Sequence, residues 1–267
     1  MEQSIDVFVG AKKYEFGMGA WSKFLAPLFI EFIGGVEEGD RVLDVGCGTG
    51  SLALAIAETT KAAKIAGVDP STGFIEYARK KTSDPRVRFD IGDAQRLPYE
   101  NGSFDKCLAS LIITFVPDAP RAASEMRRVT QSGGIVATCM WDSRGGGMEV
   151  FETFWSAALA LDPEFGKHAS RQRPYTTEGE LSDLWRGVEL ERVETDALTI
   201  PLRFNSFDAL WAYHAKGEGP SSNYTRSLAL DHQRTLENRL RKDILGDRPD
   251  GAFSLQAKAW AVRGIVP

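Results

Sequence analysis

The sequence is poor in the residues that build disulfide frameworks and metal sites. Its 267 residues include three cysteines and three histidines, and Cys47, Cys107 and Cys139 lie far apart with no C-x-x-C pair. An odd number of dispersed cysteines supports neither a disulfide framework nor a structural zinc site. We therefore expect a fold held together by an ordinary hydrophobic core, with no metal ion in the site.

Long apolar runs and long basic runs are also missing. No segment approaches the roughly 20 apolar residues that span a bilayer, and the start, MEQSIDVFVGAKKYEFG, lacks the pattern of a secretory signal. The net charge is -5, and the densest basic cluster, residues 234–242, has leucines at helical spacing and Glu237, as a solvated helix face does. The sequence predicts a cytoplasmic monomer or homodimer that binds neither membranes nor nucleic acid.

Short apolar runs alternate with amphipathic ones between residues 41 and 141. The apolar runs RVLDVG, KIAGVD, RVRFDIG, KCLASLII and GIVATCMW are typical of strands, and the segments between them have helical periodicity. Nearly continuous apolar strands separated by helices indicate a parallel sheet that is covered on both faces. The sequence predicts a Rossmann-like, doubly wound α/β fold.

Local signals mark the ends of several helices. Ser71 and Asp118 are candidate N-caps, and Thr177 with Glu180 forms a capping-box pattern. The glycines of QSGG, at 133–134, predict the end of the helix that Asp118 begins. Beyond Trp141 the alternation stops, and the patterns predict a helix after the glycines at 145–147, a strand at 188–204, helices at 206–245 and a last strand in LQAKAWAVRG.

The stretch VLDVGCGTG, residues 42–50, leads an apolar strand into a glycine loop. In a dinucleotide fingerprint, G-x-G-x-x-G, the third glycine opens the helix, whereas here Gly50 arrives one residue early after Gly46 and Gly48. Asp44 ends the strand, where its carboxylate would repel a pyrophosphate but attract an ammonium group. S-adenosylmethionine, with an amino acid at one end and adenosine at the other, fits this loop better than a dinucleotide.

Two more acids follow the next two predicted strands. Asp69 lies about twenty residues past the glycines, where an acid commonly binds ribose hydroxyls, although it could also initiate the helix ahead of Pro70. Asp93 follows the third strand, where a carboxylate could accept a hydrogen bond from the adenine amine or could be a solvated turn acid. Three acids at three strand ends form the predicted cofactor site.

Five stretches together carry a family resemblance: VLDVGCGTG, GVDPS, GDAQRLPYENGSFD, LIITFVPD and EMRRVTQSGGIVATCMWD. They resemble the class I S-adenosylmethionine-dependent methyltransferases, particularly the branch similar to the ubiquinone and menaquinone biosynthesis enzymes. The resemblance implies a seven-stranded sheet whose last strand is antiparallel, and transfer of a methyl group from S-adenosyl-L-methionine to a small-molecule acceptor by in-line displacement. The cofactor-binding residues that it implies are Asp44, Gly46, Cys47, Gly48, Gly50, Asp69, Pro70, Asp93, Ala94, Ser110 and Leu111.

Some of these residues have ordinary structural alternatives. The glycines could form only a tight turn, Leu111 could belong to the hydrophobic core, and Cys47 is better explained as a small filler than as a nucleophile, since no base neighbours it in the sequence.

The resemblance also divides the chain, taken as a single methyltransferase domain over residues 1–267. It implies an N-terminal helical lid at 1–38, a cofactor-binding core at 41–141, and helical substrate-cap segments at 145–186 and 205–252.

Five residues are candidates for the acceptor side of the site. Tyr14 and Trp21 lie in the lid, Trp141 and Asp142 follow the fifth strand, and His214 in the second cap segment is the candidate general base. The alternatives are core packing for the aromatics, a turn for Asp142 and a surface position for His214.

Two other functions compete with methyl transfer. A nicotinamide-dependent oxidoreductase agrees with the glycine loop and Asp69 but not with the glycine spacing and Asp44. A non-catalytic S-adenosylmethionine-binding protein would keep the same strand-end acids without turnover.

Overall fold

The structure is a computed structural model that describes residues 18–61, 63–163, 173–217 and 219–267. Tyr14 lies outside the described residues. The elements in chain order are α1 (Met18–Phe32), β1 (Arg41–Val45), α2 (Ser51–Thr59), β2 (Lys64–Asp69), α3 (Thr72–Lys80), β3 (Val87–Ile91), β4 (Phe104–Ser110), a 3₁₀ turn (Ile113–Phe115), α4 (Ala119–Val129), β5 (Thr130–Trp141), α5 (Glu149–Leu161), α6 (Glu178–Gly187), β6 (Glu191–Phe204), α7 (Phe207–Lys216), α8 (Pro220–Ser227), α9 (Leu230–Leu245) and β7 (Phe253–Ile265).

The strands form one seven-stranded sheet in the order β3-β2-β1-β4-β5-β7-β6. Neighbouring strands from β3 to β5 pair in parallel, and β7 pairs antiparallel with β5, with Ile135 opposite Ile265 and Trp141 opposite Ala259. The predicted doubly wound α/β fold with an antiparallel last strand is therefore confirmed. No helix among the described residues is long and apolar enough to cross a membrane.

The predicted helix starts are present, but one predicted helix end is wrong. The Ser71 hydroxyl accepts a hydrogen bond from the amide of Phe74, and the Asp118 carboxylate accepts one from Arg121. Helix α4, however, ends at Val129, and residues 131–134 lie inside β5. The chain turns extended at Thr130, whose hydroxyl donates to the Met126 carbonyl at 2.7 Å, so the glycines of QSGG are not needed to stop the helix.

The chain divides into two compact units. Among the described residues, the first, the sheet unit, comprises 18–61, 63–141, 174–198 and 259–267. The second, the helical unit, comprises the described residues 142–163, 173, 199–217 and 219–258. The sheet unit contains β1 to β5 and the helices α1 to α4 and α6, and the helical unit contains α5 and α7 to α9.

Trp185 on α6 anchors the core of the sheet unit. Its side chain is completely buried, and its indole Nε1 donates to the Val136 carbonyl of β5 at 2.9 Å. Replacing a buried Trp with Ala removes this packing and leaves a cavity, which typically costs about 3–5 kcal/mol.

We expect Trp185→Ala to lower the free energy of unfolding by about 3–5 kcal/mol in urea titrations. Trp211→Ala is the matched control, because Trp211 is only partly buried, and its loss should be smaller. A Trp185→Ala variant that loses less than about 1 kcal/mol would contradict this account of the core.

Candidate active site

The register of the sheet brings four candidate side chains to one face. Asp44 lies opposite Gly67 of β2 and Leu108 of β4, and Ser110 lies opposite Cys139 of β5. Paired residues point to the same face, and residues two apart on a strand share that face. The candidates Asp44, Asp69, Ser110 and Trp141 therefore all lie on this face, toward the carboxyl ends of β1, β2, β4 and β5.

Asp44 is a buried carboxyl group without a cationic partner. Its side chain is 1% exposed, and Oδ2 accepts a hydrogen bond from the amide of Ala53 in α2 at 3.1 Å. Burial raises the pKa of Asp44 to about 8; the Ala53 bond opposes this shift, and the charge of Asp69 adds to it. Among the described residues, no lysine, arginine or histidine pairs with Asp44. A cationic group on a ligand would stabilise the charged form of this carboxyl group.

Asp69 joins the glycine loop to the start of α3. Its Oδ2 accepts from the amide of Gly48 at 3.0 Å, and Oδ1 accepts from the amide of Ser71 at 2.9 Å. Burial raises the pKa of Asp69, while these two amide bonds oppose the shift. A carboxylate has about four lone-pair sites, so each oxygen retains capacity for a ribose hydroxyl. Pro70 follows as an exposed residue between the two bonded segments.

The three glycines of the loop have different surroundings. All three have positive φ, at +68° for Gly46, +52° for Gly48 and +85° for Gly50. A Cβ on Gly46 would lie 2.7 Å from Ile112, and one on Gly50 would lie 2.9 Å from Phe89, whereas a Cβ on Gly48 would meet no atom within 4 Å. Gly48 is therefore the glycine of this loop with open space beside its backbone, where a ligand can approach.

Cys47 packs inside the same loop. Its side chain is 7% exposed, and burial raises the pKa of its thiol above the usual range. A thiol that stays protonated is a poor nucleophile, which favours the filler interpretation.

Asp93 and Ala94 follow β3 at the edge of the sheet. The Asp93 carboxylate is exposed and accepts hydrogen bonds from the backbone and side-chain nitrogens of Gln95 at 2.9 and 3.1 Å. Ala94 is 9% exposed. The exposed carboxylate can still accept a bond from an amine, so both the adenine-binding and the turn interpretation of Asp93 agree with its geometry.

The end of β4 carries backbone strain. Leu111 is buried and has φ of +63°, a conformation rare for residues with a branched, bulky side chain, and its amide donates to the Cys139 carbonyl at 2.9 Å. Beside it the Ser110 hydroxyl lies 3.5 Å from the Cys139 thiol. Burial raises the pKa of Cys139 to about 12. Strained residues of this kind concentrate at ligand sites, so Leu111 is a stronger candidate than the sequence alone made it.

The acceptor-side candidates differ in their burial and in their contacts. Trp21 in α1 is 9% exposed and Trp141 at the end of β5 is 3% exposed. The Asp142 carboxylate has partners within the protein. Its Oδ1 accepts a hydrogen bond from the amide of Gly145 in the same loop at 2.6 Å, and its Oδ2 lies 2.8 Å from the Lys258 ammonium. These contacts favour the turn interpretation of Asp142.

His214 is a core residue of the helical unit, so the alternative of a surface position is wrong. Its ring is completely buried and stacks on Phe154 with a centroid distance of 4.3 Å, and Nδ1 lies 3.0 Å from the Ser221 hydroxyl. Burial lowers the pKa of His214 to about 3, and a hydrogen bond with the Val150 backbone opposes this shift. This environment favours packing over the role of general base.

Thr114, in the 3₁₀ turn after β4, was missed by sequence reasoning. Its hydroxyl is buried and has no hydrogen-bond partner in the part of the chain that the structure describes, as is also true of the Trp141 indole nitrogen. A single threonine after a strand carries no pattern that could have identified it. Its significance comes from burial, which only the folded chain shows.

Comparison with known proteins agrees with this geometry. Residues 43–138 match the methyltransferase domain family. A demethylmenaquinone methyltransferase of Staphylococcus aureus is 32% identical over 178 residues, which are 65% of this chain and 73% of that protein.

Two solved structures share the fold. One, from the complex between the Trm112 methyltransferase activator and a methyltransferase of Haloferax volcanii, has a TM-score of 0.60 at 19% identity and covers 96% of this chain and 95% of that chain. The other, phosphoethanolamine N-methyltransferase 2 of Haemonchus contortus with phosphomonomethylethanolamine and S-adenosylhomocysteine, has a TM-score of 0.58 at 17% identity and covers 97% and 57% of the two chains.

Proposed function

Because the chain belongs to the class I S-adenosylmethionine-dependent methyltransferases, in the branch similar to the ubiquinone and menaquinone enzymes, we propose that it methylates a small-molecule acceptor. Its cofactor is S-adenosyl-L-methionine, which supplies an electrophilic methyl group on a sulfonium. We assign the amino end of the cofactor to Asp44, the ribose to Asp69 and the adenine amine to Asp93.

The observation that carries the cofactor assignment is the buried carboxyl group of Asp44. It lies on the same face of the sheet as Asp69, one strand away, and no cation of the described residues pairs with it. An amino acid ammonium bound there would compensate a carboxylate that burial otherwise disfavours. A pyrophosphate would add negative charge to two acids, which argues against the nicotinamide alternative.

The residues of this chain act mainly by placing the reactants. The glycine loop and Asp69 hold the adenosine and methionine parts in one orientation, with Gly48 on the open side. Ser110, Leu111 and Trp141 then border the methyl side at the ends of β4 and β5, where the burial of Leu111 and Trp141 limits access of water. Holding two reactants at near-attack distance supplies a large part of the rate of such a transfer.

The reaction of a similar protein indicates which acceptors to test first. The similar Staphylococcus aureus protein is a demethylmenaquinone methyltransferase, so reduced naphthoquinones belong in the first acceptor panel, beside phenols and amines. We keep Tyr14, Trp21, Trp141 and Asp142 as proposed acceptor contacts, and we assign a packing role to the buried His214.

We expect S-adenosylhomocysteine and S-adenosylmethionine to raise the melting temperature, because each would place its ammonium group beside Asp44. A ligand at 100 times its dissociation constant stabilises by about 2.7 kcal/mol. NAD should leave the melting temperature unchanged. Stabilisation by NAD alone would contradict the cofactor assignment, and release of S-adenosylhomocysteine with any member of the acceptor panel would separate an enzyme from a non-catalytic binding protein.

A further inference from the structure

Two buried hydrogen-bond donors, one in the turn after β4 and one at the end of β5, have no partner among the described residues. The indole nitrogen of Trp141 and the hydroxyl of Thr114 are both fully shielded and unbonded, in side chains that are 3% and 9% exposed. Buried polar groups are hydrogen-bonded in the great majority of cases, so each exception calls for a physical explanation. Elsewhere in the sheet unit the buried indole of Trp185 follows the usual rule and donates to Val136.

The two groups come from neighbouring elements. Trp141 is the last residue of β5, and the 3₁₀ turn that carries Thr114 packs against β5. Ser110 pairs with Cys139, so Trp141 lies one step beyond this pair on the same face. Leu111, with its strained φ of +63°, lies between Ser110 and Thr114 in the chain. Strain and unpaired donors therefore occur together at one end of two adjacent strands.

The chemistry of the donors limits what can bind them. An indole N–H only donates, so its partner must be an acceptor atom, and a threonine hydroxyl can donate to the same kind of atom. The acids assigned to the ribose and adenine lie on the β2 and β3 side, and Ser110 and Leu111 at the end of β4 are assigned to the sulfur of the cofactor. The 3₁₀ turn after β4 and the end of β5 are left for the molecule that receives the methyl group.

We propose that the indole N–H of Trp141 and the hydroxyl of Thr114 bind an oxygen atom of the methyl acceptor, and so select acceptors with a carbonyl, phenol or carboxylate oxygen. This inference rests on the proposed function, since it concerns the acceptor side of the same site. Both donors are shielded, so binding requires the side chains that cover them to move. Trp141 and Thr114 are specificity residues under this proposal, and they do not contact the cofactor.

The test uses the full chain saturated with S-adenosylhomocysteine and two pairs of probes. 1-Naphthol and p-cresol carry the oxygen, and naphthalene and toluene are their oxygen-free analogues. The indole ¹H–¹⁵N resonance of Trp141 is identified by its absence in Trp141→Phe. We expect the oxygen-bearing probes to shift this resonance and the analogues to leave it in place.

Variants give the second readout. We expect Trp141→Phe to weaken 1-naphthol binding at least tenfold and Thr114→Val about threefold or more, with the affinity for S-adenosylhomocysteine unchanged. Trp141→Phe breaks no side-chain hydrogen bond to the described residues, so it should fold with a nearly unchanged melting temperature. Trp185→Phe is the matched control: it loses the bond to Val136 and melts earlier, yet binds the probe as the wild type does.

The proposal is overturned if no oxygen-bearing probe moves the Trp141 resonance, if the analogues bind equally well, or if Trp141→Phe retains full probe affinity. A parallel loss of S-adenosylhomocysteine affinity in Trp141→Phe would also overturn it, because Trp141 would then serve the cofactor. Failure of the wild type to bind S-adenosylhomocysteine at all would instead contradict the proposed function.

Discussion

Replacing Asp69 with alanine should lower the affinity for S-adenosylhomocysteine about 100-fold in isothermal titration. Hydrogen bonds to a charged group contribute about 1.5–3 kcal/mol each, and 100-fold corresponds to about 2.7 kcal/mol. Two losses combine in this variant. The ribose loses its acceptor, and the amides of Gly48 and Ser71 lose the carboxylate that fixes the loop beside α3.

Two further variants separate these losses. Asp69→Asn keeps one acceptor oxygen and should bind with intermediate affinity. Asp90→Ala is the matched control, because Asp90 lies on the adjacent strand β3 and its carboxylate accepts from the Tyr99 hydroxyl at 2.9 Å. Wild-type affinity in a folded Asp69→Ala protein would remove the ribose assignment.

The second large effect is a pH dependence of cofactor binding that comes from Asp44. In the ligand-free protein this buried group has its pKa raised to about 8, so it is mostly protonated at neutral pH. Binding an ammonium group favours the carboxylate and therefore releases a proton. We expect the association constant for S-adenosylhomocysteine to rise up to about tenfold per pH unit between about pH 5.5 and 7.5.

In the ligand-free protein, the contribution of Asp44 to folding stability changes with pH in the opposite direction. A carboxyl group whose folded pKa lies above its unfolded value of about 3.9 contributes stability below that value and loses it as the pH rises through about 8. As the pH rises, the stabilisation by bound ligand should therefore increase while the folding stability of the ligand-free protein decreases. Titrations in buffers of different ionisation enthalpy measure the released proton directly.

Asp44→Asn is the decisive variant for this effect. An asparagine oxygen can still accept from Ala53, so the loop should keep its conformation. The pH dependence should fall to the residual part due to Asp69, whose pKa burial also raises. An affinity that is flat with pH in the wild type, or equally steep in Asp44→Asn, would contradict the role of Asp44.

The sheet and its acids were predictable because their signals are local. Nearly continuous apolar runs mark the strands between residues 41 and 141, and Asp44 and Asp69 lie at their ends in the sequence. The caps at Ser71 and Asp118 are equally local, since each needs only a side chain three residues from its amide partner. The pairing register of β1 and β2 then brings Asp44 and Asp69 to one face of the sheet.

Features that depend on tertiary packing were not predictable. Helix α6 begins in the predicted cap segment 145–186 and ends one residue beyond it, yet it belongs to the sheet unit, where Trp185 bonds to Val136. An amphipathic helix shows that it has an apolar face but not which surface that face covers. His214 shows the same limit, because its burial comes from Phe154 on another helix.

The site also holds details that no single-sequence pattern contains. The positive φ of Leu111 and the unpaired hydroxyl of Thr114 both follow from the packing of the β4 end. Likewise, the difference between Gly48, which faces open space, and Gly46, which faces Ile112, appears only when neighbouring segments are in place.

A crystal structure with S-adenosylhomocysteine bound tests the central claim most directly. The account predicts the ribose hydroxyls within hydrogen-bond distance of the Asp69 carboxylate, the ammonium group on the side of Asp44, and the sulfur facing Ser110 and Leu111. A ligand bound elsewhere on the chain, or bound with its adenine at Asp44, would contradict it.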